Sequence, residues 1–260
     1  MSGLGKLLPL VFGLVVLGAW EAAVRLYDVP LYVLPGPTAV AFSLWSSGPE
    51  LLRALAVTLE VTIAALVLAA ITGAGIAFVL VQWKLAEQTL FPYAVFLQVT
   101  PIVTIAPFVI IWVDNVFIVL LILARMAAVF PIISNTLLGL KSADANLREL
   151  FRLYGASRAQ TLRHLLIPSA LPYFLGGLRI SGGLALIGTV VAEMVAGTSG
   201  THSGLASRLL EASSRLELAR ALACFALLSA AGFALYISLD ALSKRLLRHW
   251  HASASLPEDR

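Results

Sequence analysis

Hydrophobic runs of about 20 residues, the length that crosses a bilayer as a helix, alternate with short polar segments along nearly the whole chain. The runs predict six membrane-spanning helices, at 7–26, 55–82, 90–112, 116–138, 174–197 and 219–242. A backbone in hydrocarbon must satisfy its own hydrogen bonds, and the alternation at every second residue that would indicate a barrel is absent. The predicted fold class is therefore all-α, a polytopic membrane protein.

The composition agrees with this pattern, because 60% of the residues are hydrophobic and only 12% are charged. A soluble domain of 260 residues could not bury that much apolar surface. The first run lacks a small-residue cleavage site and ends in Glu21 and Arg25, so it is predicted to be a retained helix rather than a signal peptide. Glu21 and Arg25 lie four residues apart and are expected to pair. A single cysteine, Cys224, excludes an intrachain disulfide.

The runs divide the chain into an N-terminal helix with a proline-rich segment (1–54), a core of five spans (55–242) and a tail (243–260). Lysine and arginine are concentrated on the side of the membrane that holds the polar loop at 141–172. This bias predicts that the loop and both termini are cytoplasmic. The connections at 28–53 and 198–218 are then external. The net charge of +4 is interpreted as orienting charge, so no nucleic acid partner is expected.

The first half of the polar loop carries a helix-start signal and a stop. Asn146 followed by Glu149 predicts a side-chain N-cap with an acidic residue three positions on. Gly155 is predicted to end this helix in a left-handed conformation, which glycine adopts without steric cost.

The second half begins with another start signal, because Ser157 with Gln160 forms a capping-box pattern. Pro168 and Pro172 are expected to close a short helix before the chain re-enters the membrane. Two interpretations of this helix pair remain open. It could lie on the lipid surface with its arginines on headgroups, or it could form a rigid peg for a cytosolic partner.

The loop sequence ELFRLYGASRAQTLRHLLIPSALP resembles the cytoplasmic loop of the permease subunits of binding-protein-dependent (type I) ABC importers. In that family the short helix after the glycine enters a cleft on the ATPase subunit and passes ATP-driven motion to the membrane helices. This chain departs from the family pattern at Leu150 and Phe151, where two alanines are usual. The resemblance implies an ATPase-coupling role for Glu149, Gly155, Ala156, Ser157, Arg158, Leu162, Ile167, Pro168 and Pro172.

Motifs outside the loop resemble one subgroup of this family, the permeases for nitrate, sulfonates, taurine, thiamine-precursor pyrimidines and riboflavin. These motifs are Trp20-Glu21, Leu34-Pro35-Gly36-Pro37, Pro101, Pro107 with Trp112, Phe130-Pro131-Ile132 with Asn135-Thr136, and Val191-Ala192-Glu193-Met194. Val113-Asp114-Asn115 stands where the family usually has Phe-Gly and a further glycine, so the substrate stays open. The resemblance implies two ATPase copies, a second permease copy in a homodimer and a periplasmic binding protein. It also implies a place in the bacterial inner membrane.

The fifth predicted span carries a line of mostly small residues at four-residue spacing: Gly177, Ser181, Ala185, Thr189, Glu193 and Gly197. Small residues permit close helix packing, and a carboxyl group at membrane depth usually faces a protein interior or water. A path role and a structural hydrogen bond both remain open for Glu193. The candidates for the translocation path are Pro101, Pro107, Ser181, Thr189 and Glu193. Arg125 has no partner that the sequence identifies.

Motifs for catalysis and for ATP are missing from the sequence. There is no G-x-x-x-x-G-K-[ST] and no HExxH, and all four histidines lie outside the predicted spans. We therefore expect that the chain is not an enzyme and holds no metal or cofactor. An intramembrane enzyme and a non-transporting scaffold that docks a cytosolic partner remain as alternatives.

Overall fold

All regular structure is helical in the computed structural model, which describes residues 3–196 and 203–248. In chain order the helices are α1 (Gly3–Leu26), α2 (Pro37–Gln82), α3 (Lys84–Val99), α4 (Ile102–Trp112), α5 (Val116–Lys141), α6 (Ala145–Leu153), α7 (Arg158–Thr161), α8 (Ile167–Ala196), α9 (Leu205–Ser214) and α10 (Leu218–Leu247). A π-helical turn, Leu162–Leu166, joins α7 to α8 without a break.

Four helical segments of the described chain are long and apolar enough to cross a bilayer: α2, α5, the continuous run Arg158–Ala196, and α10. α3 and α4 pass the same test together, so the number is five if this pair counts as one span. α1 is 24 residues long and covers the first predicted span. The all-α membrane fold is confirmed, and six spans stays a prediction.

The predicted span at 90–112 is not one straight helix, because α3 and α4 meet at an angle of 98°. Thr100 and Pro101 are extended between them, with ψ of 123° and 124°. Proline has no backbone N–H and disfavours helical geometry in the residue before it, which explains a bend at this position. Pro101 therefore lies at the bend, whereas Pro107 lies inside α4.

The two connections predicted to be irregular are partly helical. α2 begins at Pro37 and so occupies the second half of the 28–53 segment. α9 occupies the middle of the 198–218 segment, and the Gly/Ser-rich residues 197–202 lie outside the described residues. Proline suits the first turn of a helix because it has no N–H to satisfy there, so the sequence signal at Pro37 was a helix start.

The described residues within 1–58 and 197–230 form one compact unit. The Glu21 carboxylate accepts hydrogen bonds from Arg25 Nε (2.7 Å), Thr38 N (3.1 Å) and Thr38 Oγ1 (2.8 Å). The predicted Glu21–Arg25 pair is confirmed, and the same carboxylate also caps the start of α2. Gly36 fits this contact, since a Cβ there would lie 2.6 Å from Glu21 Oε2.

The described residues within 59–196 and 231–260 form the second unit. Its core is built on α5, whose buried side chains Leu123 and Ala124 pack with Val61 of α2, Ala106 of α4 and Ala192 of α8. Large apolar side chains such as those of Ile71, Ile187 and Phe233 are exposed instead of buried. Exposed apolar surface on this scale is typical of a protein whose solvent is lipid.

Candidate functional site

The polar loop folds into a bent helix pair, residues 144–168, which we call the elbow. The carboxylate of Asp144 begins it, because Oδ1 accepts from Asn146 N (2.7 Å) and Leu147 N (3.3 Å). The prediction of Asn146 as the N-cap was wrong, since Asn146 is the second residue of α6. The side chain that satisfies the free N–H groups lies two residues earlier.

Gly155 forms the bend of the elbow, as predicted. Its φ is +66°, in the left-handed region. Gly155 N donates to Arg152 O (3.1 Å) and Ala156 N donates to Phe151 O (2.9 Å). This pair of bonds is the Schellman motif, which satisfies the last carbonyl groups of a helix. A Cβ at Gly155 would meet nothing within 4 Å, so the glycine is required by the backbone conformation and not by lack of space.

Ser157 begins the second arm of the elbow through the predicted capping box. Ser157 Oγ accepts from Gln160 N (3.2 Å), and Gln160 Oε1 accepts from Ser157 N (2.7 Å). Both terminal N–H groups are therefore satisfied within four residues, and α7 starts at a fixed point.

The two prolines do not close the second arm. The helix passes through Pro168 and Pro172, and the run from Arg158 to Ala196 is continuous for 39 residues. The π-turn precedes Pro168, and Ile167 N donates to Leu162 O five positions back. Proline lacks an N–H and crowds the carbonyl four residues before it, and a wider turn relieves that conflict. The prediction of a separate short helix was wrong for this reason.

The elbow is anchored on one side and open on the other. Leu165 is buried, and Leu162 and Leu166 pack against the cluster that contains Leu80 of α2 and Leu140 of α5. The outer side chains remain exposed; they include Glu149, Ser157, Arg158, the apolar Leu147, Leu150 and Leu153 of α6, and Tyr154 at the end of that helix. An amphipathic surface therefore projects from the membrane spans on a fixed base.

A cavity of about 520 Å³ lies in the concave side of the elbow, and we call it the arginine pocket. Arg148, Arg152 and Arg158 line it together with Gln82 at the end of α2, and no carboxylate is among its lining residues. Arg148 Nη2 also donates to Leu140 O (2.8 Å) and Lys141 O (3.0 Å), which caps the end of α5. The sequence indicates membrane orientation or contact with lipid headgroups as the roles of Arg148 and Arg152, and not a shared pocket. Their four-residue spacing places both on one face of α6 and is the signal that was missed.

The small-residue line of α8 faces α5, and we call their contact the α5–α8 interface. Gly177, Ser181, Ala185, Thr189 and Glu193 are all buried, whereas Gly197 lies outside the described residues. A Cβ at Gly177 would lie 2.8 Å from Pro131 O, and one at Gly188 would lie 2.9 Å from Ala124 Cα. The glycines therefore allow backbone-to-backbone approach, which favours the packing interpretation.

Hydrogen bonds cross this packed region as well. Ser181 Oγ donates to Ala128 O of α5 (2.6 Å), and Thr62 Oγ1 of α2 donates to Thr189 Oγ1 (3.1 Å). Three of the five path candidates, Ser181, Thr189 and Glu193, are fully buried. The other two, Pro101 and Pro107, are exposed. The path candidates thus divide into a packed group and an exposed group.

Comparison with known proteins decides the family. The family model described as "Binding-protein-dependent transport system inner membrane component" matches residues 65–248. This chain belongs to that family.

Relatives agree with this assignment. The riboflavin transport system permease protein of Chloroflexus aurantiacus is 32% identical over 90% of this chain and 86% of its own length. The formylaminopyrimidine transport permease protein of Halalkalibacterium halodurans is 31% identical over 74% of this chain and 77% of its own. The taurine transport system permease protein of Escherichia coli is 29% identical over 89% of this chain and 85% of its own.

A solved structure shares the fold. The crystal structure of an amino acid ABC transporter with histidines superposes with a TM-score of 0.64, over 80% of this chain and 97% of that chain, at 17% sequence identity.

The resemblance recognised in the elbow sequence is thereby confirmed. The protein is a multi-pass membrane permease subunit of an ABC importer and not an enzyme, as its relatives' names indicate. Membership in the family implies association with an ATPase subunit and a substrate-binding protein.

Proposed function

We propose that the permease forms, as a homodimer, the solute path of an importer in the bacterial inner membrane. Two copies of the ATPase subunit dock on its cytoplasmic side and one periplasmic binding protein docks on the other. The elbow is the ATPase-docking element. The observation that carries this proposal is the continuous helical backbone from Arg158 to Ala196, which links the elbow directly to a membrane span.

The elbow has the mechanical properties that coupling requires. Gly155 and the capping box of Ser157 fix the direction of α7, and the exposed Glu149 and Arg158 are available to a partner. Leu162 packs against the membrane unit, so it transmits a push on α7. Ile167, Pro168 and Pro172 follow the π-turn and carry the displacement into α8 and the α5–α8 interface. Because the helix is continuous over this length, a displacement of α7 is passed along its axis into α8.

The competing interpretation is that the elbow lies on the lipid surface. The exposed leucines and Tyr154 of α6 would enter the interface in that case, with the arginines on lipid headgroups. We favour the ATPase because the continuous helix from Arg158 to Ala196 connects a docked partner directly to a membrane span, and a helix pair that only rests on lipid does not need this connection.

The test is the Gly155→Val variant in a reconstituted complex of permease, ATPase and binding protein. A β-branched residue at φ +66° is strained by about 1–2 kcal/mol or more and should redirect α7. We expect normal membrane insertion together with loss of the ATPase stimulation that loaded binding protein causes. Gly155→Asn is the matched control and should retain most of the stimulation, because asparagine tolerates the left-handed region.

Wild-type stimulation of Gly155→Val, with wild-type binding of the ATPase, would mean that the elbow is not the coupling element. The lipid-surface interpretation would then be preferred. Loss of membrane-inserted permease in both variants would assign Gly155 to folding.

The orientation is tested by labelling with an impermeant thiol reagent. In a Cys224→Ser background, Ser157→Cys should label only from the cytoplasm and Ser214→Cys only from outside. Both serines are exposed, so accessibility does not confound the result. Labelling of Ser157→Cys in intact spheroplasts would reverse the proposed topology.

The solute belongs, we propose, to one of two classes. The relatives' names include nitrate, taurine and aliphatic sulfonates on one side and riboflavin and formylaminopyrimidine on the other. The path candidates Pro101, Pro107, Ser181, Thr189 and Glu193 would line the path only when α8 separates from α5, since three of them are buried here. Glu193→Gln should then lower uptake while the ATPase stays bound. Wild-type uptake would assign Glu193 to packing.

A further inference from the structure

Arg125 places a positive charge close to the middle of the membrane. It lies nine residues after the first residue of α5, about 14 Å along the helix. Its partner Thr72 lies ten residues before the last residue of α2, about 15 Å from that end. Whether the two helix ends lie on the same side or on opposite sides, both distances put the pair near the centre of a hydrocarbon core of about 30 Å.

The guanidinium is only partly satisfied by the protein. Arg125 Nε donates to Thr72 Oγ1 at 3.3 Å, and Thr72 Oγ1 itself donates to Leu68 O at 2.6 Å. Among the described residues no carboxylate forms an ion pair with Arg125. Arg179 of α8, by contrast, has an ion-pair partner in Asp240 of α10 at 2.7 Å. A charge at this depth is costly without a counter-charge and usually marks a functional site.

The surroundings hold the Arg125 side chain in place and leave its two terminal nitrogens available to a ligand. Gly73, next to Thr72, packs against α5, where a Cβ would lie 3.0 Å from Ile132 Cγ2. Because Nε is occupied by Thr72, the two terminal nitrogens are left to bind together. Two parallel N–H groups match the two oxygens of a carboxylate, sulfonate or nitrate.

We propose that the Arg125 guanidinium, positioned by Thr72, binds the anionic group of the transported solute at the membrane midplane. This inference rests on the proposed function and narrows it, because it selects the oxyanion class of solute over the neutral heterocycles. A lipid phosphate is disfavoured as the occupant by depth, since Arg125 lies about 14 Å along α5 from the nearer helix end, which is further than an arginine side chain extends.

The experiment measures solute imported and ATP hydrolysed in the same proteoliposomes. They contain permease, ATPase and binding protein, and the solute is the ligand that mass spectrometry finds on the cognate binding protein. Arg125→Gln should lower the solute imported per ATP by roughly tenfold or more, because a charge-assisted bidentate contact is lost. ATP hydrolysis stimulated by loaded binding protein should persist, since the elbow is untouched.

Two further variants separate recognition from structure. Arg125→Lys keeps the positive charge but loses the planar guanidinium. Thr72→Val keeps the guanidinium but removes the hydroxyl that positions it. Each of these variants should therefore lower the solute imported per ATP less than Arg125→Gln does. Arg179→Gln is the matched control, because Asp240 keeps Lys244 at 2.9 Å and the ratio should not change.

Three results would overturn the proposal. The first is a neutral ligand on the binding protein, and the second is a wild-type value of solute imported per ATP in Arg125→Gln. The third is an equal fall of transport and ATP hydrolysis in Arg125→Gln, Arg125→Lys and Thr72→Val. A dimer that dissociates in Arg125→Gln would also count against it, because the counter-charge would then be a carboxylate of the second copy. If the wild-type complex shows no ATP-driven uptake, the proposed function itself fails, whatever Arg125 does.

Discussion

Glycines serve the α5–α8 interface and the elbow for opposite reasons. At Gly139, Gly177 and Gly188 a Cβ would lie 2.7, 2.8 and 2.9 Å from its nearest neighbour, so these positions lack space. At Gly155 the surroundings are empty within 4 Å, but the backbone has a φ of +66°. One region requires glycine for close approach and the other for conformation.

The difference separates a region whose stability depends on close helix packing from a region whose role depends on the direction of a short helix. Backbone contact in the α5–α8 interface leaves no room for side-chain adjustment, so under the proposed function a push from the elbow would shift α8 as a whole and separate it from α5. The elbow has few neighbours, and its direction depends on local hydrogen bonds. Mutations should therefore damage stability in the first region and coupling in the second.

The largest effect is expected from Gly177→Leu. The added side chain would have to displace Pro131 O, which is backbone, so the free energy of unfolding should fall by about 3 kcal/mol. Gly176→Leu is the matched control, because a Cβ at the adjacent Gly176 meets nothing within 4 Å. Denaturant unfolding of the purified permease in micelles, followed by tryptophan fluorescence, measures both. Equal stability of the two variants would show that the close approach of α5 and α8 does not depend on glycine at position 177.

A smaller and purely functional effect is expected from reversing charge in the arginine pocket. Its lining has three arginines and no carboxylate, so it should attract acidic groups on the ATPase. Arg152→Glu with Arg158→Glu should weaken ATPase binding by about tenfold at low salt, and the difference should shrink as salt screens the charges. The stability of the permease should not change.

Arg163→Glu is the control for that experiment, because Arg163 lies on the π-turn and does not line the pocket. If it weakens the ATPase interaction as much as the double variant, net charge matters and the pocket does not. Binding is measured on immobilised complex over a salt series.

A local effect of about 1 kcal/mol is expected from Ser157→Ala, which removes one half of the capping box. The backbone N–H of Gln160, which donates to Ser157 Oγ, should lose protection against hydrogen exchange in this variant. The amides of α8 should keep their protection. Ser157→Thr should restore the protection. Unchanged exchange at Gln160 in Ser157→Ala would mean that packing of Leu162 and Leu165, rather than the cap, holds the second arm.

The sequence predicted the elbow well where the interactions are local. The capping box of Ser157 and the turn at Gly155 involve residues three to five apart, and such bonds follow directly from residue type. Asn146 was wrongly chosen as the cap because Asp144, two positions earlier, forms the same kind of bond. The prediction that Pro168 ends the helix was wrong because a π-turn precedes it. The wider turn relieves the clash between the proline ring and the preceding carbonyl group, so the helix continues.

Long-range partners could not be predicted from the sequence. Arg125 and Thr72 are 53 residues apart, and Thr62 and Thr189 are 127 apart. The spacing of small residues in α8 indicated a packing face, but nothing in the pattern named α5 as the opposite side. The pairing of spans is fixed by how whole helices pack, and a single sequence carries no record of it.

The smallest effect tests whether conformation alone explains a glycine like Gly155. The end of α9 has the same two bonds, from Leu216 N to Ser213 O (3.1 Å) and from Glu217 N to Ala212 O (2.9 Å), but with leucine at the left-handed position, φ 60°. Leucine there carries about 1–2 kcal/mol of strain, and glycine would relieve it at an entropic cost of roughly 0.5–1 kcal/mol. Leu216 is 64% exposed, so little burial is lost. Leu216→Gly should therefore raise the free energy of unfolding by about 0.5 kcal/mol, measured by the same denaturant unfolding. A decrease would mean that the Leu216 side chain contributes contacts worth more than the strain, and the two turns would then not be equivalent in conformational terms.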